Sequence, residues 1–278
     1  MTSRKVAIQG ELGAFSHEAA KILLGADVDI LPRPTFDALF EAVVSGAAWR
    51  AVVPIENSLA GTIHENYDRL AASGLRIVAE SQLRIRHCLV GRPGASLATV
   101  RQVASHPVAL AQCRRFFAER PHIEAVTAYD TAGSVKDVLR DGPDTRAAIA
   151  SQLAAEIYGA QIMLEGIEDD PENYTRFLLI SPEPVAGPPP NKTTIVFTLA
   201  HEPGALHQAL GVFASRGVDL TKIESRPLRG QPWEYLFYVD VVGDPEGAAG
   251  AALKDLSALA RDVRVLGSYP DGLRRRQG

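Results

Sequence analysis

The sequence predicts an α/β protein in two parts: a bilobed first part and a smaller second part with the element order βαββαβ. Short β-rich apolar runs alternate with helical periodicity as far as Ile180, which is typical of βαβ units and a largely parallel sheet. Ser181–Asn191 then contains five prolines in eleven residues. Proline fixes φ and lacks an N–H, so this stretch suits an extended linker. We therefore expect domains at residues 1–182 and 192–278, joined by a linker at 183–191.

The predicted elements of the first part follow one another in chain order, each apolar run being interpreted by its period. They are strand Val6–Gln9, helix Ser16–Leu24, strand Val28–Leu31, helix Thr35–Ser45, strand Ala51–Ile55, helix Thr62–Ala72, strand Leu75–Ala79, strand Leu83–Val90, helix Val108–Glu119, strand Ile123–Thr127, helix Thr131–Arg140, strand Ala147–Ala150, helix Ser151–Tyr158 and strand Tyr174–Ile180. In Leu83–Val90 alternate residues, including His87, are predicted to face the core. We expect the chain to cross between the lobes near residue 80 and again at residues 160–180.

The second part has a different order of elements. We expect strand Thr193–Ala200, helix Gly204–Ser215, strands Val218–Pro227 and Tyr235–Val242, helix Glu246–Ala260 and strand Val263–Tyr269. This order is the ferredoxin-like pattern.

Composition excludes several classes of protein. The 278 residues are 46% hydrophobic and 22% charged with a net charge of −4, so no global positive field would recruit nucleic acid or an anionic membrane. Two cysteines, Cys88 and Cys113, cannot form a disulfide framework, and a reducing compartment fits them best. The first residues lack the apolar run of a signal peptide, so we expect a cytoplasmic protein.

Polar side chains follow the predicted strand Ala51–Ile55. Glu56, Asn57 and Ser58 stand at its carboxyl end, where hydrogen-bonding groups and a following helix start favour a small anion. The alternative is a helix-capping turn in which Asn57 or Ser58 accepts from backbone N–H groups.

A second polar cluster precedes the predicted helix Val108–Glu119. Ser105 lies before His106 and Pro107, and Gln112 lies on the helix itself. The alternative is a capped helix start in which Pro107 is the first helical residue. Cys113 is next in the chain, but no base stands beside it, and a small buried residue is the better interpretation.

Thr175 and Arg176 stand at the head of the last strand of the first part, where apolar residues are usual. Arg176 suits a bidentate contact with a substrate carboxylate, or an ion pair with one of Glu168, Asp169 and Asp170. Thr175 is either a donor or a β-branched strand residue.

Two segments of the second part suit an amino acid. The Pro–Gly turn at Pro203–Leu206 opens a helix and offers N–H groups to a carboxylate, and Glu224 in Glu224–Pro227 offers an acceptor to an ammonium group. The alternative is an ordinary turn and a strand-end bulge. No P-loop, Gly-x-Gly-x-x-Gly, His-Glu-x-x-His or Gly-x-Ser-x-Gly motif occurs, so we expect chemistry without a cofactor or a metal.

The order and spacing of eight motifs over almost the whole chain resemble prephenate dehydratase joined to a regulatory ACT domain, close to the arogenate dehydratases of plants. The motifs are Gly10–Ala20, Pro54–Leu70, Ser105–Cys113, Asp130–Gly133, Asn173–Phe177, Pro203–Leu206, Thr221–Leu228 and Arg264–Asp271. The resemblance implies a first domain like a type II periplasmic binding protein. It also implies a decarboxylating dehydration: prephenate loses CO2 and its ring hydroxyl to give phenylpyruvate, and arogenate gives phenylalanine.

The resemblance implies a role for each candidate residue. Thr175 would donate a hydrogen bond or a proton to the leaving hydroxyl. One wall of the cleft would carry Glu56, Asn57 and Ser58, and the other Ser105 and Gln112. Arg176 would bind a carboxylate or support the site.

The ACT domain would bind phenylalanine as a feedback effector, at an interface that implies a homodimer or tetramer. The effector-binding positions carried over are Gly204, Ala205, Leu206, Glu224, Ser225, Arg226 and Pro227.

The chain departs from many bacterial members at Asp130–Gly133, where they carry a Ser-Thr-Ala run. An acidic Asp130 would favour the ammonium group of arogenate if it reached the site. We expect prephenate as the first substrate because no transit peptide is visible, with arogenate or both as the alternative. A non-catalytic amino-acid sensor is the rival from another class, because a fold does not fix a function.

Overall fold

The computed structural model describes residues 4–185, 187–228 and 234–272. The helices within them are α1 Phe15–Leu24, α2 Phe36–Val44, α3 His64–Ser73, α4 Pro107–Ala111, α5 Arg114–Ala118, α6 Thr131–Asp141, α7 Gln152–Tyr158, α8 Ala205–Ala214 and α9 Ala248–Leu259. The strands are β1 Val6–Gln9, β2 Ile30–Arg33, β3 Arg50–Asn57, β4 Gly61–Thr62, β5 Arg76–Arg84, β6 Cys88–Gly91, β7 Gln102–Ser105, β8 Glu124–Thr127, β9 Arg146–Ala150, β10 Gln161–Glu165, β11 Tyr174–Ser181, β12 Lys192–Thr198, β13 Leu220–Pro227, β14 Tyr235–Val242 and β15 Arg261–Tyr269.

Side-chain caps begin several helices where the sequence changes from strand to helix. Thr35 accepts a hydrogen bond from the N–H of Ala38, Asp130 from Gly133, and Ser151 from Ala154. Each cap satisfies a backbone donor that the first turn leaves without a partner. The caps therefore fix the strand-to-helix turns at the carboxyl ends of strands, where the polar candidates lie.

The chain divides into two compact units. One contains the chain up to Tyr67 together with Ser81–Leu178, and the other contains Asp68–Glu80 together with the chain from Leu179. The predicted linker carries no helix or strand in its described residues, 183–185 and 187–191.

The first part of the chain contains two sheets, which form the two predicted lobes. One sheet has the strand order β2-β1-β3-β11-β5, with β4 paired to β3, and the other has the order β10-β6-β9-β7-β8. β1 is parallel to β2 and β3, and β7 is parallel to β8 and β9, but β6 is antiparallel to β9 and β10. The α/β class is therefore confirmed. Pairing is mixed rather than purely parallel in both lobes, since β4 is also antiparallel to β3.

The predicted strand Leu83–Val90 is wrong, because the run breaks into β5 and β6. Between them, the N–H of Ile85 donates to the carbonyl of Asn173, and the N–H of His87 donates to a carboxylate oxygen of Glu168 at 2.9 Å. The run thus leaves one sheet and enters the other, and His87 lies at the crossing.

The predicted helix Val108–Glu119 is also wrong as a single element, because it breaks after Gln112 into α4 and α5. Both carboxylate oxygens of Asp169 accept backbone N–H groups of Arg114 and Arg115 at 2.9 Å, and the N–H of Asp169 donates to the carbonyl of Gln112. A distant acidic residue therefore starts α5 anew. Three strands, β4, β7 and β10, were not predicted.

The second unit has the predicted βαββαβ order, in an antiparallel sheet of order β13-β14-β12-β15. Its core lies between this sheet and the two helices α8 and α9, and includes Ile195, Phe197, Phe213 and Leu256, each fully buried. The ferredoxin-like pattern is confirmed.

A buried ion cluster lies within the second unit. The Nζ atom of Lys192 lies 3.0 and 3.2 Å from the two carboxylate oxygens of Glu80 and 3.9 Å from Asp240. The hydroxyl of Thr194 donates to Asp240 at 2.6 Å. Charges withdrawn from water are tolerated only when they are paired and hydrogen-bonded, so Lys192 compensates two buried carboxylates at once.

We predict that Lys192→Met lowers the free energy of unfolding by about 3–5 kcal/mol, because two buried carboxylates lose their lysine. Denaturant unfolding followed by circular dichroism measures this change. Lys254→Met, at an exposed lysine of α9, is the matched control and should change stability by less than about 0.5 kcal/mol. A Lys192→Met protein as stable as the control would show that the cluster does not need its cation.

Candidate active site

Three side-chain amides and one imidazole form a hydrogen-bonded chain across the two lobes of the first unit. The Nδ2 atom of Asn57 donates to Oδ1 of Asn173 at 2.8 Å, and Nδ2 of Asn173 donates to Oε1 of Gln112 at 3.0 Å. The same Oε1 atom lies 2.9 Å from Nε2 of His87. We call these four residues the amide chain. Asn57 and Asn173 stand at the ends of strands of the first sheet, and Gln112 and His87 belong to the second lobe.

Thr175 joins the amide chain at its Asn57 end. Besides Asn173, two acceptors lie near Nδ2 of Asn57: Oγ1 of Thr175 at 2.9 Å and the carbonyl of Tyr174 at 3.1 Å, so its two hydrogens are shared among three acceptors. Since Oγ1 accepts from Asn57, the hydroxyl hydrogen of Thr175 points elsewhere, and among the described residues nothing accepts it. Thr175 is therefore a buried hydroxyl with one donor to offer.

Asn57 forms a turn between β3 and β4, not the helix cap that was the alternative for its cluster. Its Oδ1 accepts from the N–H groups of Leu59 and Ala60 at 3.1 and 2.9 Å, while its Nδ2 faces Thr175. Ser58 is exposed and is tied to the segment before β11, with its hydroxyl donating to the carbonyl of Glu172 and accepting from the N–H of Tyr174.

Arg176 and Glu56 are neighbours on adjacent strands. The Nη1 atom of Arg176 lies 3.9 Å from a carboxylate oxygen of Glu56, and the Arg176 side chain is 8% exposed against 37% for Glu56. The acidic residues that were alternatives for Arg176 have contacts of their own. Glu168 lies 3.8 Å from Arg84, and Asp169 caps α5.

Ser105 lies at the end of β7 and is fully buried. Its hydroxyl donates to the carbonyl of Ile149 at 2.7 Å in the second lobe, so none of its described contacts joins the amide chain. The adjacent helix start is the capped one expected, with Pro107 as first residue and His106 accepting from the N–H of Val108.

Asp130 caps α6 and at the same time reaches the turn after β1. Its Oδ2 atom accepts from the N–H groups of Gly133 at 2.9 Å and Glu11 at 3.1 Å. Burial raises the pKa of Asp130, although these backbone hydrogen bonds act in the opposite direction. One carboxylate oxygen of Asp130 is therefore occupied by two backbone N–H groups.

Two members of the amide chain had no predicted role. His87 was predicted only as a core-facing strand residue, and Asn173 only as part of a motif. His87 is 2% exposed and Asn173 is fully buried. The signal that points to His87 in the sequence is a polar residue at a buried position between Ile85 and Leu89.

The amide chain is built from neutral groups. Burial lowers the pKa of His87, which favours the uncharged imidazole, and burial raises the pKa of the Cys88 thiol to about 11 and that of Cys113 still further. Both cysteines are therefore uncharged thiols at neutral pH and poor nucleophiles. Within the described residues, no cluster of histidine, cysteine and acidic side chains that could hold a metal is found, and no helix is long and apolar enough to cross a membrane.

In the second unit, a cleft at the start of α8 contains two of the predicted effector residues, Ala205 and Leu206. Its lining residues are Leu199, Ala200, His201, Glu202, Ala205, Leu206, Tyr235 and Phe237. Gly204 precedes α8 with φ of +85°, a left-handed conformation that suits glycine.

The other predicted effector residues, Glu224–Pro227, lie on β13 and do not line this cleft. Glu224 lies 3.7 Å from Lys222, and Arg226 lies 3.3 Å from Asp68, both within the second unit.

Comparison with known proteins identifies the family. A prephenate dehydratase model matches residues 6–185 and an ACT domain model matches residues 193–259. The chain is 45% identical, over 96% of its length and 72% of the relative's, to an Arabidopsis thaliana protein named arogenate dehydratase/prephenate dehydratase 2, chloroplastic. A second relative, arogenate dehydratase 2 of Petunia hybrida, is 43% identical over 96% of this chain and 71% of its own.

Two solved structures are similar over nearly the whole chain. A prephenate dehydratase from Arthrobacter aurescens in complex with L-Phe is 35% identical with a TM-score of 0.87, covering 96% of this chain and 90% of its own. A structure described as a novel type of quorum-quenching acylase is 39% identical with a TM-score of 0.89, covering 98% and 100%. The chain belongs to the prephenate dehydratase family of hydro-lyases and carries a C-terminal ACT domain.

Proposed function

We propose that this protein converts prephenate to phenylpyruvate in phenylalanine biosynthesis, with Thr175 as the donor to the departing hydroxyl. The observation that carries the proposal is the direction of one hydrogen bond. Because Asn57 donates to Oγ1 of Thr175, the Thr175 hydroxyl offers its hydrogen outward, and among the described residues nothing accepts it.

The reaction needs little from the protein beyond placement and one donor. The bond between the ring and its carboxylate breaks, and its electron pair enters the ring as CO2 leaves. As that pair moves through the ring double bonds, the carbon–oxygen bond to the ring hydroxyl breaks and its electron pair stays on the oxygen. The departing hydroxide takes a proton from solvent and leaves as water. Since the product is aromatic, orientation and stabilisation of the leaving oxygen suffice.

Threonine is a weak acid, so we assign it a hydrogen bond to the leaving oxygen rather than outright loss of its proton. The NH2 group of Gln112 is a second donor, since only the Oε1 atom of its amide has partners among the described residues. A neutral donor pair strengthens its hydrogen bonds as negative charge develops on the oxygen, which lowers the barrier.

Arg176 is proposed to attract a substrate carboxylate, with Glu56 fixing the position of its guanidinium group. Ser58 and Glu56 are proposed to line the wall formed by β3, and Ser105 to support the opposite wall through its bond to Ile149. These roles follow from the family pattern, and the contacts of each residue are compatible with them.

Thr175→Val should lower kcat by about 100-fold or more, because valine keeps the shape of threonine and removes the donor. Thr175→Ser keeps the hydroxyl and should retain most of the rate. The rate of phenylpyruvate formation by each variant gives kcat, and circular dichroism shows whether each variant is folded. A near-normal rate for the valine variant would remove Thr175 from the mechanism.

Arogenate is the second candidate substrate, because similar curated proteins carry arogenate dehydratase in their names. Asp130 was the residue expected to select the ammonium group of arogenate. Its described contacts instead support a structural role, since Oδ2 receives two backbone N–H groups.

Offered separately, prephenate should yield phenylpyruvate with the higher kcat/KM, and arogenate should yield phenylalanine more slowly. Asp130→Ser should leave the ratio of the two kcat/KM values unchanged, with Asp141→Ser at the exposed end of α6 as control. A ratio that shifts towards prephenate only in Asp130→Ser would make Asp130 a specificity residue. Turnover of neither substrate by a folded sample would favour the non-catalytic sensor.

An acylase is a third activity to consider, because one similar solved structure is described as one. Acyl transfer to a hydroxyl needs a base in contact with the nucleophile. Thr175 contacts the amide of Asn57, and Ser58 contacts backbone groups, so among the described residues neither hydroxyl meets a carboxylate or an imidazole. The contacts of these two hydroxyls therefore favour the dehydratase.

Phenylalanine is proposed as the feedback effector of the ACT domain, acting in a homodimer or tetramer in the cytoplasm. Support comes from the L-Phe complex of a similar prephenate dehydratase and from the cleft at the start of α8, which apolar side chains line in large part. The effector must bind one state of the protein better than the other to regulate it.

Millimolar phenylalanine should raise the melting temperature with a dependence on concentration, as expected for a ligand that binds only the folded state. Ala205→Trp fills the cleft and should abolish the shift, whereas Leu259→Trp at an exposed position of α9 should not. Multi-angle light scattering on the same samples gives the oligomeric state. The absence of a shift in the unsubstituted protein would remove the feedback proposal.

A further inference from the structure

The orientation of the Asn57 side chain is fixed by the backbone. Its amide oxygen lies 3.1 Å from the N–H of Leu59 and 2.9 Å from the N–H of Ala60. Backbone N–H groups only donate, so the atom that faces them is the oxygen, and Nδ2 faces Asn173 and Thr175.

The orientation of Asn57 determines the orientation of each following residue of the amide chain, because each hydrogen bond needs one donor and one acceptor. Since Asn57 donates, the Asn173 atom 2.8 Å away is its oxygen, and the Nδ2 of Asn173 then faces Gln112. The Gln112 atom that accepts is Oε1, so Nε2 of His87, 2.9 Å from the same atom, must carry a hydrogen.

The other side of the His87 ring is consistent with that assignment. Its Nδ1 atom is buried and has no hydrogen-bond partner among the described residues. The tautomer with its hydrogen on Nδ1 would bury a donor without an acceptor and would also set the bare Nε2 against the oxygen of Gln112, so it would lose that hydrogen bond as well. The ring of Phe15 packs edge-on against the imidazole, at 77° and with 5.5 Å between the ring centroids. One neighbour of the His87 ring is therefore apolar.

We propose that His87 and Asn173 are positioning residues, whose two donors hold the Gln112 amide with its oxygen inward and its Nε2 donor towards the substrate. This inference rests on the proposed function in one respect, the placing of Gln112 against the substrate. Without these two donors the Gln112 side-chain amide is free to flip. The flipped amide presents its oxygen to the substrate in place of its NH2 donor.

The tautomer of His87 tests the inference without any assay of activity. Nuclear magnetic resonance of the protein labelled with ¹⁵N histidine, with the His87→Phe spectrum assigning the signal, reports which ring nitrogen carries hydrogen. We expect the neutral ring with hydrogen on Nε2 at pH 7.5. Hydrogen on Nδ1 alone, or a charged ring, would overturn the inference even if the protein proves to be an active dehydratase.

A double-mutant cycle tests whether His87 acts through Gln112. His87→Phe should lower kcat by about tenfold to a hundredfold, the loss expected from one misplaced donor. His87→Gln returns an N–H donor and should recover part of the rate. Adding Gln112→Ala to His87→Phe should lower kcat hardly any further. If the double variant instead loses kcat by the product of the two single losses, His87 has a separate, structural role.

Asn173→Asp is the second route, should His87→Phe fail to fold. Aspartate still accepts from Asn57 but cannot donate to Gln112, so the Gln112 amide should turn and kcat should fall to the level of Gln112→Ala. Asn173→Asp with a normal kcat would overturn the inference. If neither substrate is turned over by any sample, the proposed function fails, and the tautomer measurement still decides whether the amide chain is oriented as inferred.

Discussion

Two backbone N–H groups, those of Leu59 and Ala60, decide which way the amide of Asn57 points, and the polarity of the candidate site depends on that choice. Each later bond in the amide chain has a single direction once Asn57 is set. The hydroxyl of Thr175 must then accept from within and donate outward. The turn after β3 therefore fixes the direction of the hydrogen bonds in the site. A backbone N–H can only donate, whereas a side-chain amide can flip and present either its oxygen or its NH2 group.

The same chain of bonds joins the two lobes of the first unit. Asn57 and Asn173 come from strands of one sheet, whereas Gln112 and His87 stand where two runs of the second lobe are interrupted. The interruptions have identifiable causes: Asp169 starts a new helix after Gln112, and Glu168 takes the N–H of His87. Carboxylates that had been candidates for pairing with Arg176 therefore shape the backbone that presents the site.

The absence of charge at the centre of the amide chain suits the chemistry of the family. A leaving hydroxyl needs a donor whose hydrogen bond strengthens as charge develops, and buried neutral groups provide this without the cost of burying an ion. The second unit solves a different problem, since Lys192, Glu80 and Asp240 are buried as ions and compensate one another. Residues 68–80 belong to that unit, so the chain passes between the units more than once.

The sequence alone determined the α/β class, the βαββαβ order and, through the family motifs, Asn57, Gln112 and Thr175 as candidates, because periodicity and motif spacing are local properties. It did not determine the breaks at residues 85–87 and 112–113 or any role for His87 and Asn173. The two breaks depend on the hydrogen bonds of Glu168 with His87 and of Asp169 with Arg114, which are 81 and 55 positions apart. The roles of His87 and Asn173 depend on bonds such as those of Asn173 with Gln112 and Asn57, which are 61 and 116 positions apart. Only the tertiary structure brings such partners within 3 Å, and only then does each amide have a direction.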